Sequence, residues 1–426
     1  MEKIFYPPLS TWETLRQRPA APKEDLLQLA KSIFADVKRD GDKAVQKYAL
    51  LYDKSVLPAA RISQESINES EDQLPEALKQ AIQLAAGNIE RFHTAQKEHK
   101  QVIETTAGVY CWRESRAIDR IGLYIPGGSA PLFSTVLMLG IPARLAGCKE
   151  IVLCSPPGPE GSIHPAILYA AKLSGITAIF GIGGMQAIAA MASGTETIHR
   201  VDKIFGPGNQ YVTAAKQWAQ LDGTAIDMPA GPSEVLIIAD DTCNPSFVAA
   251  DLLSQAEHGS DSQVMLLSDN LSVMEQVLQE LQEQLEELPR KDIASGALQN
   301  SKALLLGSVE DCLAFSNRYA PEHLILATER AADYLPHISN AGSVFLGNYS
   351  CESAGDYASG TNHTLPTNGY ARSYSGVSLD SFVKKITFQR LTGEGIRNIG
   401  PAIALMAEAE QLYAHKNAVT LRLKTL

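Results

Sequence analysis

Glu322 and His323 stand side by side in Tyr319-Ala320-Pro321-Glu322-His323-Leu324, a carboxyl next to an imidazole. Such a pair can divide general-base work between two different protons. Neighbours on a regular strand point to opposite faces, so joint action requires an irregular backbone, and Pro321 biases the chain toward extended or turn geometry there. A polar dipeptide at the start of a strand would carry the same letters. Gln255 and His258 lie three apart near the end of a segment whose start is marked by Asn244 as N-cap and Pro245 at the first helical position. Gly259 can close that helix, and the two side chains share one face. An imidazole at a helix carboxyl end faces the negative pole of the dipole, which favours a nearby cation, its own proton or a metal. A solvated C-capping histidine fits the segment as well. The polar, glycine-containing run from Glu352 to His363, which carries Asp356, reads as a long loop, and inside an α/β enzyme such a loop is more often a site than a linker. Glu410 and His415 are five apart across the end of a predicted helix, where a plain surface location also explains them. Gln255, His258, Asp356 and His415 together offer nitrogen and oxygen donors and no thiolate. That set suits a catalytic zinc or a harder divalent ion rather than a Cys-rich structural site, although spacing alone does not bring them together.

The elements that must position these groups follow the grammar of a parallel α/β sheet from about residue 121 onward. The apolar run 121–125 ends in Pro126-Gly127-Gly128-Ser129. The run 177–180 ends in Gly181-Ile182-Gly183-Gly184, after which Met185-Gln186 opens an Ala-rich helix. The run 201–205 ends in Gly206-Pro207-Gly208-Asn209, and the next helix carries Tyr211 and Lys216. A further strand, 151–154, leads into a Pro/Gly loop. In a doubly wound sheet the loops after the carboxyl ends of strands lie along one edge, so these turns converge on a single cleft. Glycine lets the backbone approach a ligand, and helix amino ends attract phosphate. No segment carries G-x-G-x-x-G with an acidic residue about 20 positions later, so the standard dinucleotide fingerprint is absent. Tight strand-to-helix turns alone would also account for the glycines.

A second series of strands is expected at 235–238, 264–267, 304–306, 323–326 and 344–346. The first hundred residues read as helices, one from about 24 to 52 interrupted near Gly41. Another carries the stripe Leu74, Leu78, Ile82, Ala85, Ile89 and Phe92, with Pro75 in a first turn. The last fifty residues hold a β-like run at 382–388 and a helix from Pro401 to about Tyr413, too little for an independent core. Such a tail packs on something else, and a partner subunit is a fair candidate. The fold expected is α/β, with two doubly wound, incomplete Rossmann-like parallel-sheet domains and small N-terminal helical and C-terminal extensions.

Composition bounds the function. The chain has 426 residues, 37 Lys plus Arg against 48 Asp plus Glu, and a net charge of −11, which argues against nucleic acid as a partner. With 45% hydrophobic and 20% charged residues it is an ordinary folded protein, not a disordered, collagen-like or coiled-coil chain. The start MEKIFYPPLS has no apolar core of a signal peptide, and nowhere do about 18 apolar residues run together, so a cytoplasmic location without a membrane span is expected. The cysteines at 111, 148, 154, 243, 312 and 351 form no C-x-x-C pair, which fits reduced thiols.

The segments LYIPGGSAPLFSTVLML, GGMQAIAAMASGTETI, KIFGPGNQYVTAAK, AGPSEVLIIAD, DLLSQAEHG, APEHL, ESAGDYASGTNHTLPT and AHKNAVTLR resemble the histidinol dehydrogenase family along nearly the whole chain. These motifs are long, non-repetitive and far more specific than a glycine triplet. The resemblance implies a zinc-dependent homodimer that oxidises L-histidinol to L-histidine with two NAD⁺, through a bound L-histidinaldehyde, as the last step of histidine biosynthesis. It implies Gln255, His258, Asp356 and His415 as zinc ligands, with His415 supplied by the other subunit. Tyr124, Gln186 and Asn209 match the family's NAD contacts. Ser233, Glu322, His323, His363 and Glu410 match positions around the substrate, as do Gln255, His258, Asp356 and His415. His323 would take the hydroxyl proton as hydride leaves and serve again in the second oxidation, while Glu322 would activate water to hydrate the aldehyde. The division that follows is an N-terminal extension at 1–22, a discontinuous metal and catalytic domain at 23–123 plus 235–377, an NAD-binding domain at 124–234, and a tail at 378–426 packing on the partner. Two rivals make different demands. A cysteine-dependent aldehyde dehydrogenase needs a low-pKa thiol near the glycine turns, and a relative acting on another small amino or hydroxy alcohol keeps the fold but fails to turn over histidinol.

Overall fold

A computed structural model describes residues 1–18, 24–53, 61–127, 131–158, 161–229 and 231–426. The expected turn residues Gly128 and Ser129, and the boundary between 22 and 23, lie outside the described residues.

Two parallel sheets carry the chain. In space the smaller runs Ala178–Gly181, Glu150–Ser155, Arg120–Tyr124, Lys203–Phe205, Ala225–Ile226. The larger runs Glu2–Phe5, Lys302–Leu305, Gln263–Ser268, Glu234–Ala239, His323–Ala327, Ser343–Leu346. Numbered by their own order along the chain, the strands of the smaller sheet lie 3-2-1-4-5, and the larger repeats that order once its N-terminal edge strand is set aside. This is the Rossmann order without a sixth strand. The reversal falls between Arg120–Tyr124 and Lys203–Phe205 in one sheet, and between Glu234–Ala239 and His323–Ala327 in the other.

The strands alternate with period two between two buried faces, which is why they read as continuous apolar runs. Ile121, Leu123 and Ile125 join the core on one side of the smaller sheet and Tyr124 the core on the other. Val235, Ile237 and Ala239 face one core of the larger sheet, Leu236 and Ile238 the opposite one. Each fully buried Leu, Ile or Val contributes about 1.5–3 kcal/mol relative to exposure, so four such layers fix both sheets firmly.

Several expectations change. Residues 2–5 are not a mere extension, because Glu2–Phe5 pairs in parallel with Lys302–Leu305. The helices Glu24–Asp40 and Asp42–Tyr48 bury Ile33, Phe34, Val37 and Val45 against the smaller sheet, and Glu76–Thr94 buries Ile82 and Ile89 on its other face. Grouping 23–123 with the larger sheet therefore mismatches the packing: those apolar stripes cover the smaller sheet. Within Glu76–Thr94 the stripe turns by one residue at its end, leaving Phe92 exposed and His93 buried with its Nδ1 on the Ile89 carbonyl at 2.9 Å. An antiparallel ribbon, Val102–Thr106, Val109–Ala117 and Val383–Leu391, escaped the sequence reading in its first two strands. Charged residues interrupt them and most of their positions are half-exposed or exposed, so the apolar signal is weak. The tail forms two helices, Gly393–Ala409 with Pro401 inside it and Tyr413–Leu423, separated at Gln411, whose φ is +59°.

Candidate active site

The Glu322–His323 pair lies at the amino ends of the larger sheet, not at its carboxyl ends. Helix Val309–Tyr319 stops at Ala320, a non-glycine residue at φ +56°, and Pro321 then turns the chain into the strand that begins at His323. This is the irregular backbone that a Glu/His pair requires. Glu322 and His323 are both buried, 6% and 3% exposed, with Glu322 Oε2 3.8 Å from His323 Nδ1. The first residue of the neighbouring strand serves both: the Glu234 N–H donates to Glu322 Oε2 at 2.8 Å, and His323 Nδ1 donates to the Glu234 carbonyl at 3.2 Å. That assigned tautomer leaves Nε2, buried and without a hydrogen-bond partner among the described residues, as the ring atom free to take a proton. Ser233, half-buried, precedes Glu234 on the same edge.

Two helical segments converge on this pair. Asn244 caps helix Pro245–Ala256 by accepting from the Ser246 N–H at 3.0 Å. The helix ends at Glu257 rather than on Gly259, and Gln255 Nε2 donates to His258 Nδ1 at 3.2 Å. The polar loop contains a short helix, Glu352–Tyr357, which sets Glu352 and Asp356 one turn apart on one face. His258, Glu352 and Asp356 offer ligand atoms that all lie within 4.8 Å of one another. His323 Nε2 is 3.7 Å from Asp356 Oδ1, and its Nδ1 is 4.0 Å from Glu352 Oε1. His363 Nδ1 donates to the Asp356 carbonyl at 3.0 Å, so its Nε2 accepts the Thr135 hydroxyl at 3.1 Å.

Electrostatics follows from this crowding. Burial pushes Glu322 up to about 8. Burial alone would lower His323, but Glu352, Glu322 and Asp356 outweigh it and push the imidazole up to about 10. Burial raises Glu352 well above the carboxylate range, whereas Asp356 is held low, the burial cost being overcome by the adjacent imidazoles of His323, His363 and His258. Gln255 Oε1 and both Glu352 oxygens are buried and lack a partner among the described residues. Orphaned acceptors beside an imidazole and a second carboxylate are a nitrogen and oxygen donor set that fits a divalent ion such as zinc.

Of the expected ligands the fold brings Gln255, His258 and Asp356 together. Glu410 and His415 are exposed on the tail and make no hydrogen bond to this cluster among the described residues. Glu352 was missed; the one signal available was its spacing of four from Asp356. The apolar faces of Leu405, Met406, Leu412, Tyr413 and Leu421 are also exposed on the tail.

The carboxyl edge of the smaller sheet gathers the residues expected to contact the cofactor, at its strand-order reversal. Tyr124 ends the central strand, and its hydroxyl accepts from the Gly184 N–H at 3.1 Å, at the start of helix Gly184–Ser193. Gln186 is fully buried on that helix; its Nε2 donates to Asp53 at 2.9 Å while its Oε1 lacks a partner among the described residues. Gly206 sits at φ +126°, and a Cβ there would fall 2.1 Å from the Tyr124 carbonyl, so only glycine lets the third turn pass. Asn209 then caps helix Gln210–Leu221 through the Tyr211 and Val212 N–H groups, both at 3.1 Å. Two helix amino ends and an orphaned amide oxygen near Tyr124 fit a dinucleotide. The two clusters share a wall: helix Phe133–Ala146, which follows the Tyr124 strand, meets His363 through Thr135 and accepts from Asn362 Nδ2 at the Met138 carbonyl, 2.6 Å.

The Gly206 turn is held from behind by buried charge. Lys216 Nζ lies 2.5 Å from Asp227 Oδ1 and donates to the Gly206 carbonyl at 2.8 Å, while Asp227 Oδ2 accepts from the Gly206 N–H at 2.8 Å. Asp227→Ala strands the Lys216 ammonium, whose side chain is 4% exposed. It is expected to cost about 3–5 kcal/mol of stability, read as a lower midpoint in chemical denaturation; an unchanged midpoint would contradict this account of the turn.

Known proteins place this arrangement. Residues 16–423 match the family described as histidinol dehydrogenase. The chain is 56% identical over 426 residues to the histidinol dehydrogenase of Bacteroides thetaiotaomicron, covering 100% of both. It is 52% identical to that of Pasteurella multocida, over 97% of this chain and 98% of the relative. The crystal structure of histidinol dehydrogenase from Elizabethkingia anophelis superposes with a TM-score of 0.98 at 63% identity, covering 100% of this chain and 98% of the other. The two doubly wound sheets, the buried Glu322–His323 pair and these full-length matches agree: the chain belongs to the histidinol dehydrogenase family, oxidoreductases of histidine biosynthesis.

Proposed function

We propose that the chain oxidises L-histidinol to L-histidine in two NAD-dependent steps through bound L-histidinaldehyde, with zinc held by Gln255, His258 and Asp356 of one subunit and His415 of the other. The observation that carries this reading is a buried Glu/His pair whose His323 Nε2 lies against an orphaned nitrogen and oxygen donor set. In the first oxidation His323 Nε2 takes the carbinol proton as the hydride departs to the nicotinamide. The aldehyde then adds water, whose proton goes to Glu322, and the hydrate gives its hydroxyl proton to His323 as a second hydride leaves to a second NAD⁺. Two bases suit these separate proton transfers. Zinc held by these residues would supply a fixed positive charge for orienting the substrate. Ser233, His363 and Glu410 complete the substrate's surroundings in this reading, and Tyr124, Gln186 and Asn209 the cofactor's.

A thiol mechanism has little support in these surroundings. Burial pushes Cys148 and Cys243 up to about 11, and Cys154 and Cys312 higher still, the opposite of an activated thiolate. We further propose residues 124–234 as the nucleotide-binding unit and the cytoplasm as the compartment; among the described residues no helix is long and apolar enough to cross a membrane. Incubation with L-histidinol and NAD⁺, with product identification and metal analysis, tests the main reading, and failure to form histidine would shift it to another small alcohol.

The homodimer with shared sites rests on the exposed apolar tail that carries His415. His415→Asn and His323→Asn proteins are each expected to be nearly inactive. Mixed and reassembled, they form hetero-dimers with one intact site, and activity should return to about a quarter of wild type under random exchange. No recovery after verified subunit exchange would argue for a site built within one chain.

A further inference from the structure

We propose that Arg18 is a positioning residue for the aldehyde half of the reaction, holding Glu322 in place through the buried carboxylate of Glu234. The inference rests on the reading of Glu322 as the water-activating base.

Arg18 comes from the N-terminal segment, far from Glu322 in sequence, yet its side chain is 9% exposed and that of Glu234 2%. The guanidinium grips Glu234 with both prongs, Nε to Oε1 and Nη2 to Oε2, each 2.8 Å. Its plane lies 3.7 Å from the centre of the Tyr319 ring. The same Nη2 donates to the Tyr319 carbonyl at 2.9 Å and to the Ala320 carbonyl at 3.4 Å. These are the last residues before Pro321-Glu322-His323, and Ala320 is the one in the left-handed conformation. Tyr319 is pinned in turn, its hydroxyl donating to Gln263 Oε1 at 2.8 Å, and Gln263 Nε2 reaches back to the Gln17 carbonyl at 3.3 Å. Glu234 Oε1 also accepts from the Asn368 N–H at 2.7 Å.

One fork therefore fixes two things that Glu322 depends on: the turn that delivers it, and the Glu234 backbone whose N–H holds its Oε2. Without Arg18 the buried Glu234 carboxylate loses its counter-charge, while its own backbone N–H holds Glu322, and like charges in low dielectric repel strongly. His323 Nδ1 also meets the Glu234 carbonyl, but its ring is in addition flanked by Glu352 and Asp356 at 4.0 and 3.7 Å, contacts independent of the fork, so the larger displacement falls on Glu322. Lysine would keep the charge but neither the bidentate grip nor the stacking.

The experiment measures the histidinol and histidinaldehyde oxidation rates separately for wild type, Arg18→Ala, Arg18→Lys and Glu322→Gln, with zinc content as a check on the fold. Arg18→Ala is expected to slow aldehyde oxidation by about tenfold to a hundredfold while changing alcohol oxidation much less, with Arg18→Lys close to it. Added guanidinium ion should restore part of the Arg18→Ala rate and none of the Glu322→Gln rate. If Glu322→Gln is selective for the aldehyde half but the Arg18 variants are unimpaired, or lose both halves equally without rescue, the positioning role is overturned and the role of Glu322 stands. If Glu322→Gln slows both halves alike, the reading of Glu322 falls and takes this inference with it. Should Arg18→Ala not fold, the same half-reaction split in Arg18→Lys decides.

Discussion

Treatment with a metal chelator is expected to abolish turnover of L-histidinol, and added zinc to restore it. The expected loss is essentially complete because the ion would serve two needs at once. Gln255, His258 and Asp356 are gathered around acceptors that nothing else in the described protein satisfies, so without a cation the substrate loses the charge that orients its nitrogens. Orientation of this kind is worth several powers of ten in rate. Meanwhile the carboxyl groups of Glu352, Glu322 and Asp356 crowd the imidazole of His323, and a bound cation would offset the negative charge gathered there. A second readout is independent of activity: zinc should raise the thermal midpoint, since a ligand bound only by the folded state stabilises it by about 2.7 kcal/mol at a hundred times its Kd. Full turnover in protein shown to be free of metal would sink the ligand assignment.

Much of the fold was readable from residue order because it rests on local, strong signals. Strands buried on two faces are uninterrupted apolar runs, and the turns at Gly181 to Gly184 and Gly206 to Asn209 bracket them clearly. What failed was long-range. The helix stripes of residues 24–94 announce an apolar face without saying which sheet receives it. Residues 2–5 look like any polar terminus until Lys302–Leu305 offers a free edge. The ribbon strands lie on the surface, where burial imposes little pattern.

The site divides in the same way. Glu322 and His323 are neighbours, so a pair was visible, but the turn that lets both serve one pocket depends on Ala320 at φ +56° and on Glu234 from another strand. Glu352 was passed over because its partners, His258 and His323, are distant in sequence. Arg18 was invisible for the same reason. Tyr124, Gln186 and Asn209 lie at the carboxyl edge of their sheet, where ligands of α/β folds are expected, whereas in the larger sheet Glu234 and His323 begin their strands. In the proposed reading one active site draws on the carboxyl edge of one sheet and the amino edge of the other, with helix amino ends at the first and the buried acids at the second.

His323→Asn should lower both half-reactions by about 10²–10⁴, the usual worth of a positioned general base. Asparagine keeps a polar group of similar reach and can still meet the Glu234 carbonyl, so the change isolates proton acceptance at Nε2. Because the same atom is used in each oxidation, neither half escapes. Glu322→Gln provides the contrast: its side-chain oxygen can go on accepting from the Glu234 N–H, so the backbone stays in place while the base is lost. Its loss should fall on aldehyde oxidation, with alcohol oxidation close to wild type. Separate measurement of NADH formed from L-histidinol and from L-histidinaldehyde reads the two directly. If His323→Asn spared the second oxidation, the imidazole would act only once and another group, Glu322 foremost, would have to take the proton of the hydrate. If both variants slowed both halves equally, the two residues would be acting as one unit, and the division of labour between carboxyl and imidazole would be wrong.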